Sequence, residues 1–202
     1  MSIATNNPVG RPRSFDEDKV LGLVIDVFWR KGYEATSMND LLTATGLHKG
    51  SLYQTFGGKH SLFIRALQAY IENMGVNLKR IATQAERAVD GLRAMICHNI
   101  DEGDLEQGVN AGCMALNTLV ENAQHDPEVL QVLGGAYRMR LSLITSLVER
   151  AQSEGDLRSD WQAGRIANLI AATEAGILVE RKGMLDAAGA KAMVDDLIES
   201  LR

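Results

Sequence analysis

Apolar residues return every three or four positions along almost the whole chain. Val20, Leu23, Val24, Val27 and Phe28 do so first, then Leu62, Phe63, Ala66, Leu67, Tyr70 and Met74, and finally Met193, Val194, Leu197, Ile198 and Leu201. That spacing gathers side chains on one face of an α-helix, and no stretch alternates with the period of two of a half-buried strand. The fold class this implies is all-α.

Cap and turn residues divide the pattern. A first helix is expected over 15–31, begun at Ser14 and Phe15, with Asp16, Glu17 and Asp18 in its first turn and Gly32 as its stop. Ser37 with Asp40 three positions on reads as a capping box for a short second helix, which turns Met38, Leu41 and Leu42 inward and ends at Gly46. A third is expected over 48–55 with Leu52 and Phe56 inward, and a long fourth from Gly58. Later helices are expected over 83–101, 110–124, 127–153, 160–181 and 187–201, with Asp126 capping the helix that Pro127 begins.

At 202 residues the chain can form one sizeable core or a small domain joined to a larger one. Residues 1–66 hold 8 Lys and Arg against 6 Asp and Glu, and residues 67–202 hold 13 against 20, so a head of charge +2 precedes a body of −7. That split fits a polyanion-binding module carried by a different domain. Two cysteines, Cys97 and Cys113, are too few for a disulfide framework. No apolar run reaches the roughly 18 residues of a membrane span, and the opening residues lack the apolar core of a secretory signal. A cytoplasmic chain with reduced thiols and no membrane partner is expected.

The stretch TGLHKGSLYQTFGGKHSL, residues 45–62, crowds polar groups around a tight turn. Helix, glycine turn and second short helix form the helix-turn-helix unit, whose second helix enters the DNA major groove with its early polar residues toward bases and phosphates. Here those residues are Lys49, Ser51, Tyr53, Gln54 and Thr55, with Gly50 allowing close backbone approach. Lys59 can add a charge-assisted phosphate contact. Upstream, Arg11 and Arg13 stand on an arm, residues 1–13, able to enter a neighbouring minor groove. Blander roles stay open: Tyr53 as a packing residue, the two lysines as solvated surface, the arginines as nonspecific attraction.

Residues 15–62, with KGYEATSM, GLHKGSLYQTF and GKHSLF in that order and spacing, resemble the DNA-binding domain of the tetracycline-repressor (TetR) family. The resemblance implies an N-terminal DNA-binding domain, here 14–60, and a larger helical ligand-binding and dimerisation domain, here 61–202. It implies a double-stranded DNA operator, a small-molecule inducer, no cofactor and no catalysis. Ser37, Lys49, Ser51, Tyr53 and Lys59 fall on the family's usual DNA-contacting positions, and Gln54 and Thr55 on positions that vary with operator. Two residues depart from the pattern. His48 replaces the usual Ser or Thr at the start of the recognition helix, though its imidazole could still touch phosphate. His60 stands where an acidic residue usually follows the lysine. Together they lead to the expectation that DNA affinity rises as pH falls.

By the same resemblance, the helices near 160–181 and 187–201 are expected to pair two copies as a homodimer. Met95, Cys113, Met114, Asn117, Glu121, Tyr137, Trp161 and Glu174 are candidate ligand contacts. Glu174 reads either as an acceptor for a cationic ligand or as a hydrogen-bonding residue at the dimer interface. The segment GCMALNTLVENAQHDPEV resembles a TetR subgroup with Gly-Cys at a helix start, some of whose members sense electrophiles or oxidants; Cys113 is equally readable as a small buried apolar residue. Cys97 and His98 are adjacent and so diverge on a helix, His125 stands at a helix end, and no metal site is expected. Two rival readings remain: a constitutive DNA-binding regulator without inducer, and a helical small-molecule carrier or enzyme.

Overall fold

The computed structural model describes residues 15–103 and 110–202, which form nine α-helices and no strand. Three short helices make the head: α1 (Glu17–Lys31), α2 (Met38–Thr45) and α3 (Lys49–Phe56). α4 (Lys59–Gln84) leads into a body of α5 (Ala88–Glu102), α6 (Met114–Asn122), α7 (Pro127–Glu154), α8 (Ala163–Glu180) and α9 (Ala187–Ser200).

Local chemistry sets most of the helix ends. Asp16, not Ser14 or Phe15, caps α1, its carboxylate accepting the N–H groups of Asp18 and Lys19. Ser37 and Asp40 form the capping box of α2, and Gly46 ends that helix at φ 66°, a conformation a β-carbon disfavours. Asp126 accepts the N–H groups of Glu128 and Val129 ahead of Pro127. The gap after α4 and the start of α6 differ most from expectation. α4 runs on to Gln84 and α5 begins only at Ala88, after extended Ala85 and Arg87. α6 starts at Met114 rather than at 110, because Gly112 adopts φ 66° and its N–H bonds the Asn110 side chain.

In the head, Val20, Val24, Phe28, Leu41, Leu52, Phe56, Leu62 and Phe63 pack into one buried cluster, so α3 is held by its Leu52 and Phe56 side chains. The 26 residues of α4 span about 39 Å and carry the chain from that cluster into the body, where α4 packs on α5, α6 and α7. α5 lies at the centre, against α4, α7, α8 and α9. No described helix is long and apolar enough to cross a membrane.

Candidate functional site

Burying Leu52 and Phe56 fixes which side of α3 faces out. Lys49, Gly50, Tyr53 and Gln54 are exposed, with Tyr53 at 40% accessibility, while Ser51 and Thr55 are half-buried. His48 precedes the helix in extended conformation and makes no side-chain capping bond, so α3 begins with uncapped N–H groups. Lys49 Nζ lies 5.7 Å from the Tyr53 ring. Arg65 steadies the far end of the helix: it reaches the Thr55 carbonyl at 3.4 Å, pairs with Glu17 at 3.0 Å and covers the Phe56 ring at 4.7 Å.

The flanking groups are anchored too. Ser37 Oγ accepts from the Asp40 N–H at 3.2 Å and stands 2.8 Å from Asp40 Oδ2, to which it donates. A contact from Lys31 Nζ at 2.6 Å, then the Ser37 N–H and hydroxyl, hold the Asp40 carboxyl far below the usual carboxylate range. Lys59, first residue of α4, rests 4.3 Å over the Tyr33 ring and 3.5 Å from the Glu34 carbonyl. His60 turns to the body, its Nε2 2.7 Å from Asp126 at the start of α7. Arg11 and Arg13, with the rest of the arm over 1–13, lie outside the described residues.

The body contains a cavity of about 420 Å³ between α4, α5, α6, α7 and α8. Met74, Leu116, Leu119, Leu130, Leu133 and Leu178 give it apolar walls, and Asn99, Cys113, Tyr137, Arg140 and Glu174 give it polar atoms. Glu174, 1% exposed, forms an ion pair with Arg140 and accepts a hydrogen bond from Asn99 Nδ2 at 2.6 Å. Burial pushes the Arg140 pKa down, and the paired carboxylate is what makes a charged guanidinium tolerable there. The Cys113 thiol caps no N–H of α6; it accepts from the Tyr70 hydroxyl at 3.6 Å. Burial raises the Tyr70 pKa far above that of a free phenol, with Cys113 and Glu102 adding to the shift.

Of the residues expected to meet a ligand, Cys113, Tyr137 and Glu174 border this cavity, and Glu174 is already engaged by Asn99 and Arg140. Met95 and Met114 are core residues, 3% and 1% exposed. Asn117 donates to the Ala111 carbonyl at 2.7 Å and accepts from Lys182 at 3.1 Å, tying down the segment before α6. The guanidinium groups of Arg158 and Arg165 lie over the Trp161 ring, at 4.4 and 4.2 Å from its centroid. Glu121 points to the head, its carboxylate accepting the Tyr33 and Glu34 N–H groups at 3.1 and 2.8 Å. Among the described residues no group of three His, Cys, Asp or Glu is placed to hold a metal ion.

Asn99 and Arg140 were not singled out from the sequence, although a signal existed. Each interrupts the buried stripe of its own helix: Asn99 follows Leu92, Met95 and Ile96, and Arg140 lies in register with Leu133, Ile144, Leu147 and Ala151. Polar residues in apolar register on neighbouring helices are expected to satisfy one another.

Comparison with known proteins agrees with this architecture. Residues 25–66 match the N-terminal domain of bacterial regulatory proteins of the tetR family, and residues 88–195, over half the chain, match the tetracyclin repressor-like C-terminal domain. An uncharacterized HTH-type transcriptional regulator of Bacillus subtilis, YezE, is 28% identical over 160 residues, covering 75% of this chain and 78% of its own. The HTH-type transcriptional repressor ComR of Escherichia coli is 26% identical over 161 residues, covering 80% of this chain and 77% of its own. The solved structure of a cysteine mutant of the TetR family regulator CifR, complexed with 26-base-pair operator DNA, superposes with a TM-score of 0.81 at 26% identity, over 94% of this chain and 99% of that one. With a helix-turn-helix head, a helical body and both family domains matched in order, the chain belongs to the TetR family of bacterial transcriptional regulators.

Proposed function

We propose that the protein is a cytoplasmic, homodimeric repressor, released from its DNA operator by a small molecule held in the body cavity. The observation that carries this is the double attachment of α6. Its N-cap Cys113 and its residues Ala115, Leu116 and Leu119 border the cavity. The same helix and the turn before it grip the head, through the bond from Trp29 Nε1 to the Gly112 carbonyl at 2.9 Å and through Glu121 on the Tyr33 and Glu34 N–H groups. A ligand that moves α6 therefore moves the head. Such a ligand shifts the DNA-binding equilibrium only as far as its affinities for the two arrangements differ.

In this reading Lys49, Gly50, Ser51 and Tyr53 engage the duplex, with Gln54 and Thr55 reading base edges. Ser37, His48 and Lys59 meet phosphates, and Arg11 and Arg13 reach an adjacent groove. Residues 14–60 form the DNA-binding unit and 61–202 the sensor. One short recognition helix reads few bases, and a two-fold pair reads half-sites about 34–36 Å apart. The partner copy covers the outer face of α8, where Leu169, Ala172, Gly176 and Val179 are exposed at helical spacing, together with Met193 of α9.

Footprinting on a duplex enriched by the protein from random sequence tests this, with wild type beside Leu169→Glu. Two symmetric protected half-sites, lost in the variant together with the dimer in sedimentation, are expected. A single unsymmetric footprint that survives in a monomeric variant would overturn it.

A further inference from the structure

The polar end of the cavity restricts the chemistry of its occupant. Asn99 Nδ2 lies 2.6 Å from Glu174 Oε1, and a carboxylate paired with an arginine can only accept, so the amide must present its nitrogen to Glu174. The amide oxygen is thereby turned away. Asn99 Oδ1 is buried without a hydrogen-bond partner, on a side chain 8% exposed that borders the cavity, and a small shift of the amide is what brings that oxygen to a ligand. A buried acceptor left bare is a debt that water pays in the unfolded chain, and a ligand proton can cover it here. Beside it is a donor. Asn99 and Arg140 hold the two oxygens of one carboxylate, so the guanidinium, with five N–H groups to place, lies next to the amide.

The charges at this end already cancel, Arg140 against Glu174. A carboxylate ligand would compete with Glu174 for Arg140 and bring no proton for Asn99. An ammonium ligand could donate to Asn99 but would face a guanidinium whose counter-ion is spent. An ether or a hydrocarbon would leave Asn99 Oδ1 bare. What remains is a neutral group that both donates and accepts. Most of the rest of the wall, formed by Met74, Leu116, Leu119, Leu133 and Leu178, offers apolar contact, with Cys113 and Tyr137 as its other polar side chains, in a volume at the small end of ordinary ligand sites.

Resting on the reading of this cavity as the sensor site, we propose that its ligand is an uncharged, largely apolar small molecule bearing a hydroxyl. The hydroxyl donates to Asn99 Oδ1 and accepts from Arg140, while the hydrocarbon body fills the leucine-lined space.

A matched set on one apolar scaffold tests this with the full chain: para-hydroxybiphenyl, para-methoxybiphenyl, biphenyl carboxylate and biphenylmethylammonium. Affinities are read by calorimetry and by thermal shift, on wild type and on Asn99→Leu. The hydroxyl compound is expected to bind wild type about tenfold tighter than the ether, with both ions weaker than the ether. Asn99→Leu, if folded, should bind the hydroxyl and ether compounds alike; the wild-type ranking decides even if it does not fold. An ether that matches the hydroxyl compound, or an ion that binds tightest, overturns the proposal and leaves the cavity standing as a sensor site. If no member binds to protein that still binds operator, the proposal and the sensor reading fall together.

Discussion

Glu121 Oε1 accepts the Glu34 N–H at 2.8 Å, across 87 residues of sequence, and fastens α6 to the turn between α1 and α2. Its second oxygen takes the Tyr33 N–H. Glu121→Ala leaves both donors to water and should lower stability by about 1 kcal/mol in urea denaturation. Gly32, at φ 79°, belongs to the same contact, since a β-carbon there would stand 2.8 Å from Glu121 Oε2. Gly32→Ala should therefore cost about 1–3 kcal/mol, and less when introduced on top of Glu121→Ala, because the steric part of the penalty disappears while the backbone strain remains. Equal costs in the two backgrounds would mean that the carboxylate does not press on the turn.

Arg140→Met should destabilise the protein by about 3–5 kcal/mol, because it leaves the Glu174 carboxylate buried without a counter-charge. Replacing both with methionine should recover most of that loss. Denaturation midpoints of the two single variants and the double variant measure the coupling.

The acid side of the stability profile should carry a contribution from Asp126. Partial burial opposes ionisation there, but the hydrogen bond to His60 and the N–H groups of Val129 and Glu128 outweigh it and lower the pKa. A carboxyl whose folded pKa lies below its unfolded value stabilises at pH above the unfolded value, about 3.9, and loses that contribution as pH falls through the folded one. Thermal midpoints below about pH 4 should fall less steeply for Asp126→Asn than for wild type.

N-ethylmaleimide should modify Cys113 before Cys97. Cys113 borders the cavity, whereas burial pushes the Cys97 pKa up against the opposing charges of Arg93 and Lys191. Peptide mass mapping at one equivalent of reagent reads the order, and preferential labelling of Cys97 would contradict it.

The helical framework was legible because its signals are local. Ser37 with Asp40, Gly46, and Asp126 with Pro127 each satisfy or terminate a helix end within a few residues. The first helix start was less clear, since Ser14, Asp16 and Asp18 all offer capping oxygens, and it is Asp16 that takes the Asp18 and Lys19 N–H groups. The gap between α4 and α5 was misplaced, a new helix being expected from 83 where α5 begins at Ala88, because ATQAERAV contains no Gly or Pro and Arg87 caps α5 without a side-chain bond. The outward side of α3 follows from Leu52 and Phe56 alone. The cavity depends on α5, α7 and α8 meeting, and although Asn99, Arg140 and Glu174 each stand in an apolar stripe, nothing local pairs them. Glu121 shows the limit most plainly: on α6 it reads as a cavity residue, and the fold turns it to the head.

The most direct measurement is fluorescence anisotropy of the duplex that the protein itself enriches from a random pool, titrated across a range of salt against a scrambled duplex, for wild type and Lys49→Ala. Wild type should bind the enriched duplex at least about a thousandfold tighter near 150 mM salt. Lys49→Ala should reduce the slope of log affinity against log salt by about one for each recognition helix engaged. Equal affinity for both duplexes, with a slope unchanged by the substitution, would contradict a head that reads DNA through α3.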